Sequence, residues 1–217
     1  MVMNGRMFVI TGVLGSLLGS LLAPAAFAQE EGQLAAATSK ISAQAQFELL
    51  PAGSAAMSAG GVSVSTDTAV AYGVTAMLDY AVTPYLSIGI APRLVLNVKS
   101  DSSDGMNGAV SAGKEIDLRA RVVGHVPVAP RVEAYASLAP GYAFLTGGDD
   151  GTNNPSGFAI AGAVGMTYDL TPRMFVGAEI GYQRAFTTTE VSVLGQKMDV
   201  DLDLSYMHIG FGAGTRF

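Results

Sequence analysis

The sequence predicts an all-β chain, an eight-stranded antiparallel up-and-down transmembrane β-barrel, and three observations carry that expectation. Segments of two-residue alternation recur along the chain, with large apolar side chains on one face and small or charged ones on the other. Tight proline-containing turns alternate with long polar, glycine-rich stretches. Charged residues make up 14% of the chain, whereas a soluble domain carries about 25%. That deficit leaves much of the surface to face lipid.

The first 28 residues read as a secretory signal peptide. Arg6 precedes the apolar stretch from Met7 to Leu22, and Pro24 leads to the small-x-small site Ala26-Phe27-Ala28, with cleavage expected after Ala28. Gly12, Gly15 and Gly19 interrupt the stretch, which argues against a spanning helix. Residues 29–39 read as a flexible periplasmic N-terminal segment and residues 40–217 as the barrel. The chain has no cysteine, so neither a lipid anchor after the cleavage site nor a disulfide is expected. A net charge of −6 argues against a nucleic-acid partner.

The strands follow in order. The first presents Ile41, Ala43, Ala45, Phe47 and Leu49 on its apolar face, and the second Val70, Tyr72, Val74, Ala76, Leu78 and Tyr80. The third presents Leu86, Ile88, Ile90, Leu94, Leu96 and Val98, and the fourth Ile116, Leu118, Ala120, Val122 and Val126. The fifth offers Val132, Ala134, Ala136, Leu138, Tyr142 and Phe144; the sixth Phe158, Ile160, Val164, Met166, Tyr168 and Leu170. The seventh offers Met174, Val176, Ala178, Ile180, Tyr182 and Phe186, and the last Met207, Ile209, Phe211, Ala213, Thr215 and Phe217. Three short turns, at Asp79–Pro84, Val126–Arg131 and Asp169–Arg173, separate long loops expected near 51–67, 99–114, 146–156 and 187–200. Short inner turns and long outer loops place both chain ends in the periplasm. Tyr80, Tyr168 and Phe217 at one end, with Tyr142, Phe144, Phe158, Tyr182 and Phe186 at the other, read as interfacial girdles.

The opposite faces carry the charge. Glu48, Asp79, Arg93, Glu115, Asp117, Arg119, Arg121, Arg131, Glu133, Asp169, Arg173, Glu179 and Arg216 point inward by parity, with Lys40 beside them and glycine or alanine around them. An eight-stranded barrel leaves an interior that side chains just fill, and buried charge is costly unless paired. A filled, internally paired network is therefore expected, built from Glu48, Asp79, Arg93, Asp117, Arg119, Arg121, Glu133, Glu179 and His208.

The leader, the eight strands, the Thr-Pro turns and the terminal Arg216-Phe217 resemble the small outer-membrane β-barrel family of OmpA- and OmpX-type domains. The resemblance covers residues 40–217 and implies a Gram-negative type of outer membrane, with outer-membrane lipid and lipopolysaccharide as surroundings. It further implies a C-terminal assembly signal read by the barrel-assembly machinery, for which Tyr206, Phe211 and Phe217 are the matching positions. The chain stops at the barrel, so a cell-wall tether is not implied.

Chemistry is sparse by comparison. His208 points inward and has no serine two residues on, such as lipid-modifying barrels use near the outer surface, and His125 lies by an inner turn at the wrong end; no enzyme and no cofactor are expected. Asp149-Asp150-Gly151-Thr152-Asn153-Asn154 has oxygen ligands for calcium but lacks the EF-hand spacing and reads as ordinary loop chemistry. Asp199, Asp201 and Asp203 read as a solvated strand extension, so no metal is expected. Arg184, outward-facing beside Tyr182 and Phe186, is placed either in water or against a lipopolysaccharide phosphate. A structural or surface-interaction barrel is the leading function. A narrow pore for ions or small solutes is the alternative, and a soluble lipid-binding barrel is disfavoured because it needs an apolar interior. The partner of the external loops is not legible in the sequence.

Overall fold

The computed structural model describes residues 40–98, 113–146, 154–193 and 196–217. The expected leader over 1–28, the segment 29–39 and most of the acidic run at 149–154 lie outside them. Among the described residues there are ten strands: β1 (Ile41–Ala59), β2 (Val62–Asp67), β3 (Ala71–Thr83), β4 (Leu86–Ile90), β5 (Arg93–Val98), β6 (Gly113–Ala129), β7 (Val132–Thr146), β8 (Ser156–Asp169), β9 (Met174–Val193) and β10 (Gln196–Arg216). All of the pairings are antiparallel, and β1 pairs with both β3 and β10, so the sheet closes on itself. Ile41 accepts a backbone hydrogen bond from Phe217 at 2.8 Å, which ties the last residue to the first strand.

The ten strands make eight staves. β4 and β5 are one stave interrupted at Ala91-Pro92, where the missing proline amide breaks the ladder. The flanking groups still pair, Ala91 N–H with Arg119 C=O at 2.8 Å and Ala76 N–H with Pro92 C=O at 3.0 Å. β2 is outside the ring. It folds back on the far half of β1, with Met57 opposite Val64 and Ala59 opposite Val62. Gly60 and Gly61, with φ of 56° and 85°, form the turn; positive φ at both central residues is what a two-residue hairpin turn requires.

Two of the expected loops are therefore strand. Residues 51–67 are mostly the hairpin of β1 and β2, and much of 187–200 extends β9 and β10. The Gly-Gly turn closes the first, and the β-branched run Thr187-Thr188-Thr189 sustains the second. Together they form a four-stranded sheet, in the order β2-β1-β10-β9, that continues past the staves at the end opposite the short turns. The three short turns lie at one end with Lys40 and Phe217, as expected.

Face assignments hold with one local exception. Phe47, Val74, Leu78, Ile88, Ile90, Leu118, Val122, Val164, Met166, Ile180, Met207 and Phe211 are exposed around the outside. A soluble protein does not leave so large an apolar belt in water. Val98 departs from the expected outward set and is 4% exposed. Asn97 adopts a φ of 64° and its Nδ2 donates to Val70 C=O at 3.0 Å, and the register shift between Leu96 and Val98 turns Val98 inward.

Candidate functional site: the barrel interior

The inward parity of each stave aims its polar residues at the axis. Glu48 on β1, Asp79 on β3, Arg93 on β5, Glu115, Asp117, Arg119 and Arg121 on β6, Glu133 on β7, Glu179 on β9 and His208 on β10 all face the interior. Of the wider charged set, Arg131 and Arg173 sit in turns and are exposed, as is Lys40. Arg131 has a φ of 68°, a turn conformation that takes it out of the alternation.

Three tiers fill the lumen. In the middle, Arg93 Nε donates to Glu48 Oε2 at 2.7 Å, and its Nη1 lies 3.5 Å from Asp117 Oδ2. Arg119 pairs with Asp117. Gln183 on β9 reaches across from the opposite wall: its Oε1 accepts from Arg119 Nη2 at 2.7 Å and from Arg93, while its Nε2 donates to Glu115 Oε1 at 2.5 Å and Asp117 Oδ2 at 3.2 Å. Glu179 collects Gln46 Nε2 at 2.7 Å, Tyr135 Oη at 2.7 Å and His208 Nε2 at 3.2 Å. Thr75 donates to Glu48.

Toward the short turns, Arg121 lies 3.5 Å from Asp79 and Arg216 pairs with Asp169. His125 Nδ1 lies 2.7 Å from Glu133 Oε1, and its Nε2 lies 3.0 Å from Ser87 Oγ. Toward the other end the interior turns apolar, with Leu50, Val95, Val98, Ala143, Leu145, Ala159, Ala185, Leu202 and Leu204 packed together. The expectation of a polar interior thus holds for the middle and the turn end only. Beyond Glu48 and Arg93 the inward positions of β1 and β5 are Leu50 and Val95, and no charge follows them.

Glycines make the room. Gly210 faces Glu48 from β10 and Gly73 faces it from β3; Gly141 lies opposite Arg119 and Gly181 opposite His208. A Cβ at Gly141, Gly165 or Gly181 collides with Arg119, Tyr135 or His208 respectively.

Four participants were not anticipated: Gln46, Thr75, Tyr135 and Gln183. Their signal in the sequence is parity, since each lies an even number of residues from a charged inward neighbour, but none of the four carries a formal charge. Tyr206 also faces inward at 1% exposure, whereas Phe211 is 60% exposed on the outer face. Arg184 is exposed; its Nη2 donates to Asp203 Oδ2 at 2.8 Å, and its guanidinium carbon lies 4.6 Å from the centre of the Phe186 ring.

Glu48, Glu179 and His208 bring ligand atoms within 4.8 Å of one another, the one such group found among the described residues. Their facing atoms are already used by Arg93, Thr75, Gln46 and Tyr135 and by the His208–Glu179 contact. The arrangement is that of a hydrogen-bonded hub.

The architecture matches known proteins in kind. A family model described as an outer membrane protein beta-barrel domain matches residues 15–217. The outer membrane protein OprG from Pseudomonas aeruginosa superposes with a TM-score of 0.59 at 15% identity, covering 82% of this chain and 96% of that one. The outer membrane protein AlkL superposes with a TM-score of 0.55 at 15% identity, covering 88% and 94%. The outer membrane protease OmpT from Escherichia coli gives 0.50 at 12% identity, covering 82% and 97%. At such identities the likeness is one of fold. Among curated protein sequences, none matches the chain significantly.

Proposed function

Since the chain belongs to the outer membrane protein β-barrel family, we propose that it is a closed-lumen scaffold, holding the β2-β1-β10-β9 sheet and its neighbouring loops at the outer surface in a structural or surface-interaction role. The observation that carries this reading is Gln183, 0% exposed, which bonds across the axis to Arg93, Arg119, Glu115 and Asp117. With the apolar tier stacked beyond it, the interior offers solutes two successive barriers. The short turns and both chain ends face the periplasm, because bacterial barrels keep their turns inside and their extensions outside.

Assembly and surroundings follow the same reading. Phe211 and Phe217 present the outward aromatic face that barrel-assembly machinery engages; Tyr206, turned into the lumen, drops out of that signal. Arg184 sits where lipopolysaccharide phosphates lie, and a phosphate must compete with Asp203 for its guanidinium. The leader ending at Ala28 delivers the chain for export.

Planar-bilayer recording of the refolded protein tests the closed lumen. The expected result is no steady conductance above that of the bare bilayer. Reproducible single-channel steps from the unmodified chain would establish the narrow pore instead.

A further inference from the structure

We propose that Ser87, His125 and Glu133 form a hydrolytic triad in the turn-end mouth of the barrel, acting on short-chain acyl esters. Three adjacent staves supply it: Ser87 from β4, His125 from β6 and Glu133 from β7. Glu133 Oε1 is 2.7 Å from His125 Nδ1, and Ser87 Oγ is 3.0 Å from Nε2 of the same ring. A carboxylate only accepts, so Nδ1 carries the proton and donates to Glu133. In the neutral ring Nε2 then holds a lone pair and accepts from the Ser87 hydroxyl. That order is a nucleophile, a base and an acid that orients the base, the arrangement recognised by geometry on unrelated folds.

A cavity of ≈ 110 Å³ opens on the triad and is lined by all three of its members together with Lys40, Arg121 and Arg216. Arg121 lies 3.5 Å from Asp79 and Arg216 pairs with Asp169, so both guanidinium groups lining it have acidic partners. The volume is on the scale of a short acyl group.

In the reaction the Ser87 Oγ bonds to the ester carbonyl carbon as its proton passes to His125 Nε2. The bond from that carbon to the alcohol oxygen breaks as Nε2 returns the proton to the leaving alcohol. A water then gives a proton to Nε2 and attacks the acyl-Ser87. The carboxylic acid leaves as Oγ recovers the proton. Glu133 is the positioning residue. The chemistry stands whether or not the lumen conducts; only its periplasmic address rests on the orientation proposed above.

The test uses the full chain purified in detergent, with a fluorophosphonate probe and p-nitrophenyl acetate. The expected result is a single adduct on Ser87, read by peptide mass on the unmodified protein and so independent of any variant folding. Ser87→Ala and His125→Gln, checked for the folded gel mobility, lose the adduct and at least about 10²-fold in ester hydrolysis. Glu133→Gln lowers kcat with KM unchanged, and Glu133→Asp recovers part of it, a split that a purely structural role does not produce. Ser65→Ala, on the projecting hairpin, leaves the rate unchanged, and p-nitrophenyl palmitate is hydrolysed far more slowly than the acetate. No adduct on the unmodified chain, an adduct on another serine, or an unchanged rate in folded Ser87→Ala overturns the proposal.

Discussion

Arg93 and Glu48 meet at 2.7 Å across the stave that separates them, Arg93 from β5 and Glu48 from β1, with β3 between. Both side chains are essentially excluded from solvent. The contact is possible because Gly73 on β3 presents no side chain in the gap. Removal of Arg93 leaves Glu48 buried with the Thr75 hydroxyl alone, and removal of Glu48 leaves Arg93 Nε buried without an acceptor.

Arg93→Ala and Glu48→Ala are therefore each expected to destabilise the folded barrel by about 3–5 kcal/mol. The double substitution Arg93→Ala with Glu48→Ala is expected to cost less than the sum of the two, since each change removes the partner that the other would orphan. Urea unfolding of the protein in lipid vesicles, followed by circular dichroism, measures the cycle; additivity of the two single effects argues against the coupling.

Gln183→Ala removes the hub that bridges the walls. Each unsatisfied group left behind costs about 1–3 kcal/mol, so Arg93, Arg119 and Glu115 together make this a severe change. In planar bilayers the variant is expected to leak small ions where the unmodified chain does not, provided the gap exceeds what the apolar tier seals. A silent, fully stable variant places the barrier in the apolar tier alone.

Gly181→Val drives a side chain into the His208 ring. Overpacking of this kind costs about 1–3 kcal/mol. Adding His208→Ala is expected to recover part of the loss, because the clash is with that ring and, in lesser degree, with the Gly162 carbonyl. Equal stabilities with and without His208→Ala would place the strain elsewhere.

Because the sheet closes through Phe217 to Ile41 and every stave is paired on both sides, the protein should resist detergent until heated. Unboiled samples are expected to migrate apart from boiled ones on a denaturing gel. Deleting Phe217 is expected to lower the yield in the outer membrane while changing refolding into detergent much less. Equal cellular yield argues against an assembly role for that residue.

The barrel is legible in the chain: period-two alternation says which side chains meet lipid, and proline turns say where the chain reverses. Glu48, Arg93, Asp117, Arg119, Glu179 and His208 were legible as interior residues for the same reason, since parity is a local property of a strand. Which of them meet is not local. The partnership of Gln183 with Arg93 and Arg119 depends on closure and stagger, which bring β9 opposite β5 and β6, and no spacing along the chain encodes that distance. The same holds for His125 and Glu133, read singly as a turn histidine and a network acid, and for Ser87, which shows no chemical signal in the sequence. The departures at Val98 and in the two hairpin extensions arose where a backbone detail overruled composition: the positive φ of Asn97, and a Gly60-Gly61 turn that let a polar stretch pair with itself. Tertiary closure decided the partners, because hydrogen bonds across a lumen join residues whose only relation is that the sheet curls until its first and last strands touch.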